Sequence, residues 1–501
     1  MITLEKFKLH ARDKNVIPLE YNTMADLLTP VSAYLSLRRD GSPSFLFETV
    51  EPNEKIGRYS FIGIDPILTI RARDRVVSVN EGGSSTEIES SIFDVLAQMS
   101  ARYRQAEPES PNGLPGGFVG FIGYDNVRHL EHFRSNGSSD TVKDDAILGL
   151  FTSIIRFDHK THLMTIVHSV VIDSSIPLDE QYERGRKTVE TLALRLRSTV
   201  LPSSNFTCDF AKVQDFTDRD TYCESVRHAK NHIFEGNIFQ VVLSRKIQLP
   251  FTGDLIAVYR ALRTINPSPY LFFLEFGDTT LIGSSPEVLV KVQNNIVEVF
   301  PIAGTRRRGM TENEDLSLED ELMNDAKELA EHVMLVDLGR NDVGRVCEYG
   351  SVDVPVFKRV ERYSHVMHLV SEVRGTLRSG ASSIDALKSC FPAGTVSGAP
   401  KLRAMEIIAE LEPTNRGVYA GAVGYLGFDG SLDTCIAIRT IVAHPGVLTV
   451  QTGAGIVADS VPEREYDETM NKSSAMLDAI KLAAGGLSPA FLRQNVARQE
   501  P

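Results

Sequence analysis

The order of apolar runs limits this chain more than any other feature. Ile238-Phe-Gln-Val-Val-Leu-Ser-Arg245, Leu271-Phe-Phe-Leu-Glu-Phe276, Val288-Leu-Val-Lys-Val292 and Ile296-Val-Glu-Val-Phe300 read as strands, and helix-like runs follow them. Earlier, Ser44–Val50, Tyr59–Ile64 and Ile67–Ala72 bunch or alternate apolar residues in the same way. Strict β-α-β alternation is missing and no fixed-period repeat occurs. The pattern therefore predicts an α+β fold of large, mostly antiparallel sheets flanked by helices, not a doubly wound one. The turn-rich stretch 200–216 marks a boundary between an N-terminal region, 1–200, and a second region, 215–485.

A chain of 501 residues with 42% hydrophobic and 24% charged residues has the composition of an ordinary globular protein. Its formal net charge of −13 argues against a broad basic surface for nucleic acid, while leaving room for a small anion in a local basic pocket. The five cysteines form no Cys-x-x-Cys pair, and no apolar run reads as a signal peptide or membrane span. A cytoplasmic, membrane-free protein is expected. Gly116-Gly-Phe-Val-Gly-Phe-Ile-Gly-Tyr-Asp125 is a glycine-punctuated strand and not a dinucleotide loop, because its glycines miss the required order.

Two stretches place acids at helical spacing. Glu328 and Glu331 lie three apart on a run whose Leu329, Val333 and Val336 make an apolar stripe, and Glu465 and Glu468 repeat the spacing on a run continuing through Met476 and Ile480. Such pairs are ordinarily a solvated helix face. Two helices that each present a pair are also suited to a hard cation such as Mg²⁺, which takes one or two carboxylates and leaves positions for water and an anionic ligand.

Four strings complete the pattern: Gly283-Ser-Ser-Pro-Glu287, Pro301-Ile-Ala-Gly-Thr-Arg306, Phe391-Pro-Ala-Gly-Thr-Val-Ser-Gly-Ala-Pro-Lys401 and Gly453-Ala-Gly455. Gly453-Ala-Gly455 follows a strand and suits either a plain tight turn or the close approach of backbone N–H groups to a carboxylate. Arg439, in the run Cys435–Thr440 that reads as an apolar strand, needs an anion, from a salt bridge or from a ligand. His365 and His368 suit core positions, a metal pair or a base.

In this order, over roughly residues 215 to 480, the strings resemble those of the chorismate-utilising enzymes, and the chain is most similar to anthranilate synthase large subunits. The resemblance implies the layered fold of that family and a lyase that adds ammonia to chorismate and eliminates pyruvate, in tryptophan biosynthesis. It implies that Gly304, Thr305, Tyr419, Arg439, Gly453, Ala454, Gly455 and Lys401 bind chorismate, and that Glu331 and Glu468 ligate Mg²⁺ with Glu328 and Glu465 in support. Glu287 is then the candidate general acid for the departing hydroxyl and His368 the candidate base for the elimination, with Thr395 and Glu328 beside them.

Two positions select within the family. The site that resembles a water-activating lysine in isochorismate and salicylate synthases is Gln240, and the site that resembles a lysine nucleophile in aminodeoxychorismate synthases is Ala303. Anthranilate formation fits best. An aminodeoxychorismate synthase component, or an inactive chorismate-binding regulatory partner, is the alternative. The chain contains no glutaminase cysteine elbow, so ammonia from a separate glutamine amidotransferase subunit, in a hetero-oligomer, is expected. Similarity also implies an inhibitory tryptophan site at Glu48, Thr49, Lys55, Pro269, Tyr270 and Leu271. There Leu-Phe-Glu-Thr replaces the usual Leu-Leu-Glu-Ser, and Leu271 replaces a methionine.

Overall fold

The structure is a computed structural model that describes residues 1–49, 58–109, 113–131, 144–197, 205–362 and 366–487. Among these, two large sheets form, with 13 and 12 strands, and every strand pairing between named strands is antiparallel. The expected fold class is therefore the observed one.

The first sheet runs, in spatial order, through Val16–Met24, Leu163–Val171, Ser153–Asp158, Tyr59–Ile64, Ser44–Glu48, Tyr270–Phe276, Thr279–Ser285, Thr440–His444, Val447–Ile456 and Gln240–Thr252. The second includes Ile302–Arg307, Val366–Thr376, Val288–Gln293, Leu432–Ile436, Ala422–Gly427, Gly117–Ile122 and Ala146–Phe151. Strands from before and after the turn-rich stretch pair directly in both sheets: Leu271 lies opposite Glu48, and Gly424 opposite Gly120. The two sequence regions thus share both sheets.

Strand alternation builds the layers. In Tyr270–Phe276, Phe272, Leu274 and Phe276 enter a core with Phe121, Phe151 and Val423 of the second sheet. The intervening Leu271 and Phe273 face a helix layer with Tyr259, Leu262, Met476 and Ile480. The second sheet buries its other face under helices that supply Phe93, Val336 and Leu387. The result is helix, sheet, sheet, helix. Glycine is required where strands crowd: a Cβ on Gly120 would lie 2.0 Å from the Ile147 carbonyl oxygen. That accounts for the glycine-punctuated run, which forms Gly117–Ile122.

The acid-bearing runs are helices, Ala326–Gly344 and Pro462–Ala484. Asp325 caps the first by accepting from the Lys327 and Glu328 N–H groups. Among the described residues no helix is long and apolar enough to cross a membrane.

Candidate active site

Two short connections carry the chain from one sheet to the other, and they lie side by side. Pro286 and Glu287 join Thr279–Ser285 of the first sheet to Val288–Gln293 of the second; residues 437–439 join Leu432–Ile436 of the second to Thr440–His444 of the first. The crossings bond to each other. Ser284 N–H donates to the Arg439 carbonyl at 3.1 Å, and Ile436 N–H donates to the Glu287 carbonyl at 3.0 Å. The Ser285 hydroxyl adds a bond to the Ile436 carbonyl at 2.7 Å. Arg439 is therefore not in a strand as its apolar neighbours suggest. It ends a crossover, with φ of 49°, and this left-handed backbone puts a guanidinium and a carboxyl from different crossings in one place.

Burial pushes the Glu287 carboxyl up to about 7, against the opposing effects of the Thr395 hydrogen bond, Lys472 and Arg439. Thr395, in the 3₁₀ turn Gly394–Val396, donates to Glu287 Oε1 at 2.7 Å. Arg439 has its guanidinium pushed down by burial, with Glu287 as the opposing charge, and it reaches Asn266 Oδ1 at 3.4 Å. A cavity of about 50 Å³ adjoins Glu287 and Thr395, walled by Leu335, Leu338 and Asp342.

His368 comes from Val366–Thr376, opposite Thr305 across a bulge whose extra residue is Gly304, with φ of 68°. Its Nδ1 lies 3.0 Å from the Gly304 carbonyl and 3.1 Å from Thr305 Oγ1. A carbonyl only accepts, so Nδ1 carries the proton and Nε2 is the basic nitrogen. Burial lowers the imidazole below the ordinary histidine range, the Gly304 carbonyl opposes this, and Arg439 adds to it. A neutral ring is the state a base requires.

Gly453-Ala-Gly455 does not follow its strand but is part of it, Val447–Ile456, paired opposite Leu243 and its neighbours. Alternation explains the small residues. A Cβ on Gly453 would lie 2.7 Å from Tyr419 Oη, and one on Gly455 would lie 2.8 Å from Gln240 Nε2, while Ala454 between them is buried on the other face. Burial pushes the Tyr419 hydroxyl up to about 12. Pairing with Thr440–His444 stops at Ile441 and Val450, so among the described residues no strand covers that edge beside the glycines.

Gln240 Nε2 donates to Glu331 Oε1 at 3.3 Å, fixing the 326–344 helix over the glycine strand. Glu328 is raised by burial and by Glu331, with Arg306 opposing. On the other helix Glu465 is raised by burial; the Ser460 hydrogen bond opposes, Glu468 adds, and Lys327 and Lys472 oppose. Among the described residues no three His, Cys, Asp or Glu side chains already converge as a metal cluster. The donor set still fits a hard cation held by one or two carboxylates, because Lys472 stands in as a cation: its Nζ lies 2.6 Å from Glu468 Oε1 and 3.2 Å from the Gly453 carbonyl.

The structure thus brings Glu287, Thr395 and Arg439 together, sets Tyr419 against the glycine strand within electrostatic reach of Glu287, and sets His368, with Gly304 and Thr305, within electrostatic reach of Arg439. It does not join Lys401 to them by any hydrogen bond, since the Lys401 ammonium donates to buried Asp342 at 2.7 Å. Lys472 and Asn266 were missed. Lys472 was within reach of sequence reasoning, being one helical turn after Glu468, whereas Asn266 is 173 residues from Arg439 and only the fold joins them.

At the expected inhibitor site, Glu48 and Leu271 are cross-strand partners. Glu48 is buried, accepts from the Tyr259 hydroxyl at 2.5 Å and pairs with Arg263 at 3.2 Å. Thr49 follows Glu48 and Pro269 lies two residues before Leu271, whereas the Tyr270 hydroxyl donates to Asp433 at 2.7 Å. Lys55 and His365 lie outside the described residues.

A family model described as chorismate binding enzyme matches residues 42–478. The chain belongs to the chorismate binding enzyme family. Within that family it is 47% identical over 494 residues to anthranilate synthase component 1 of Pseudomonas aeruginosa, covering 96% of this chain and 98% of the relative. It is 43% identical over 488 residues to that of Acetivibrio thermocellus, with the same two coverages. The crystal structure of anthranilate synthase component I from Streptococcus pneumoniae superposes with a TM-score of 0.74 at 35% identity, covering 91% of this chain and 99% of that one. The menaquinone-specific isochorismate synthase of Escherichia coli, at 21% identity and a TM-score of 0.71, shares the family's fold.

Proposed function

We propose that this chain converts chorismate and ammonia into anthranilate and pyruvate, as a cytoplasmic enzyme of tryptophan biosynthesis that depends on Mg²⁺ and is inhibited by tryptophan. The pairing of Glu287 with Thr395 beside Arg439 carries the reading, because it supplies a carboxyl that burial raises to about 7, so that a large share of it still carries its proton at neutral pH, next to a cation. Loss of the ring hydroxyl needs a proton at the oxygen, and Glu287 holds one. Arg439 and Tyr419 offer donors to one substrate carboxylate, and the uncovered edge at Gly453–Gly455 offers backbone groups to the other. His368, basic at Nε2, accepts the ring proton when pyruvate leaves. Glu331 and Glu468 would hold Mg²⁺, with Glu328 and Glu465 in support. When bound, the ion supplies positive charge that neutralises the ring carboxylate.

Ala303 on the Ile302–Arg307 strand leaves no lysine nucleophile there, and Gln240 cannot activate water by proton transfer. Both favour anthranilate over aminodeoxychorismate or isochorismate. The relatives' name, component 1, supports a second component that delivers ammonia from glutamine. Incubating the purified chain with chorismate, Mg²⁺ and ammonium should yield anthranilate and pyruvate in equal amounts. Isochorismate or 4-amino-4-deoxychorismate as the main product would overturn the assignment, and glutamine-driven turnover by the chain alone would overturn the partner.

A further inference from the structure

The loop 391–400, which presents Thr395 to Glu287, is tied at both ends to one residue of the 326–344 helix. At its start the hydroxyl of Ser389, the last residue but one of the helix Ser383–Cys390, donates to the Asp342 backbone carbonyl. At its end Lys401, the first residue of the helix Lys401–Leu411, donates from Nζ to Asp342 Oδ2 at 2.7 Å. Asp342 thus holds one side of the loop with its carbonyl and the other with its carboxylate. Between the two ties Leu338, one helical turn before Asp342, presses on the loop: a Cβ on Gly394 would lie 1.8 Å from Leu338 Cδ2.

These ties matter because packing behind the acid is incomplete. The cavity of about 50 Å³ has Glu287 and Thr395 among its walls, together with Asp342, Cys390 and Gly394. Side chains that border a cavity lack neighbours on one side, so the anchors of the loop are what keep the Thr395 hydroxyl 2.7 Å from Glu287. The later half of the loop has further anchors, with Val242 N–H donating to the Ser397 carbonyl at 3.0 Å and Arg416 donating to the Val396 carbonyl at 2.7 Å. The earlier half, 391–395, leans on the Ser389 tie, on Leu338 and on the edge contact of the Phe391 and Phe93 rings, 5.6 Å between centres. The Asp342 carboxylate is buried, and removing its cation would leave a charge uncompensated there. The helix that bears it is itself fixed, since His332 Nε2 lies 2.6 Å from Ser371 Oγ on Val366–Thr376.

We propose that Asp342 and Lys401 are positioning residues for the acid step: Asp342, through the Ser389 hydroxyl and the Lys401 ammonium, sets the 391–400 loop so that Thr395 reaches Glu287. The proposal rests on the reading of Glu287 as the general acid. Lys401, which closes the glycine-rich string, then serves turnover through Thr395 and not by holding chorismate. The pair adds no chemical step of its own.

The test is a double-mutant cycle read in ammonium-driven anthranilate formation by the full chain. Lys401→Met should lower kcat several-fold and leave the KM for chorismate unchanged. The combination of Lys401→Met with Asp342→Asn, which leaves no buried charge unpaired, should show the same loss, and melting temperatures check that both variants fold. In a Thr395→Val background, where no hydroxyl remains to be positioned, neither change should lower kcat further. A loss that multiplies in full with that of Thr395→Val would overturn the proposal. So would a raised KM at unchanged kcat, which would return Lys401 to the chorismate site. Absence of ammonium-driven anthranilate from the unaltered chain would instead overturn the amination reading.

Discussion

Thr395 Oγ donates to Glu287 Oε1 at 2.7 Å across 108 residues of sequence, and it is the side-chain hydrogen bond that holds down a carboxyl which burial raises to about 7. Donation to the charged form lowers a carboxyl pKa. Thr395→Val should therefore move Glu287 above about 7, and the pH at which kcat/KM falls as the acid loses its proton should move up with it. A pH profile of ammonium-driven turnover checks this; an unmoved alkaline limb would remove Glu287 as the acid.

The same group makes a stability prediction. Because the Glu287 carboxyl is raised above its unfolded value, the folded state binds more protons than the unfolded state between roughly pH 4.5 and 7. Its contribution to stability is complete below that window and is lost as pH rises through about 7. Glu287→Gln stays neutral throughout, so its melting temperature should gain on that of the unaltered protein between pH 5 and pH 8, as scanning calorimetry would show. A constant difference would place the titration elsewhere.

Glu331→Gln and Glu468→Gln should each lower turnover by about 100-fold or more at low Mg²⁺ while leaving melting temperature nearly unchanged, since Glu468 is exposed and a Gln at 331 can still accept the bond from Gln240. Calorimetric Mg²⁺ titration should lose its signal in both. Near-normal activity of either variant at low Mg²⁺ would remove that residue from the metal site.

Arg439→Lys keeps the charge but loses the planar fork that reaches Asn266, so a raised KM for chorismate, by roughly tenfold, is expected. An unchanged KM would make Arg439 a structural residue of the crossover.

Tryptophan at millimolar concentration should raise the melting temperature, and Glu48→Gln should abolish the rise, because an amino-acid ammonium needs that carboxylate. Glu48 is already held by Tyr259 and Arg263, so binding requires those contacts to rearrange. No rise in the unaltered protein would dismiss the site.

Local chemistry by itself determined much of this protein. Strand runs without β-α-β alternation set the antiparallel class, and three-residue spacing set each acid pair on a helix face. These depend on periodicity and side-chain type, which are written residue by residue. Tertiary structure decided where those residues meet. The apolar neighbours of Arg439 read as one strand, yet the chain leaves one sheet at Ile436 and enters the other at Thr440, and the crossover aims the guanidinium at the site. Lys401, next to the glycine-rich string, went instead to Asp342. The pairing of Ser244 with Gly453 joins residues 209 apart, and a strand's own sequence does not specify its partner.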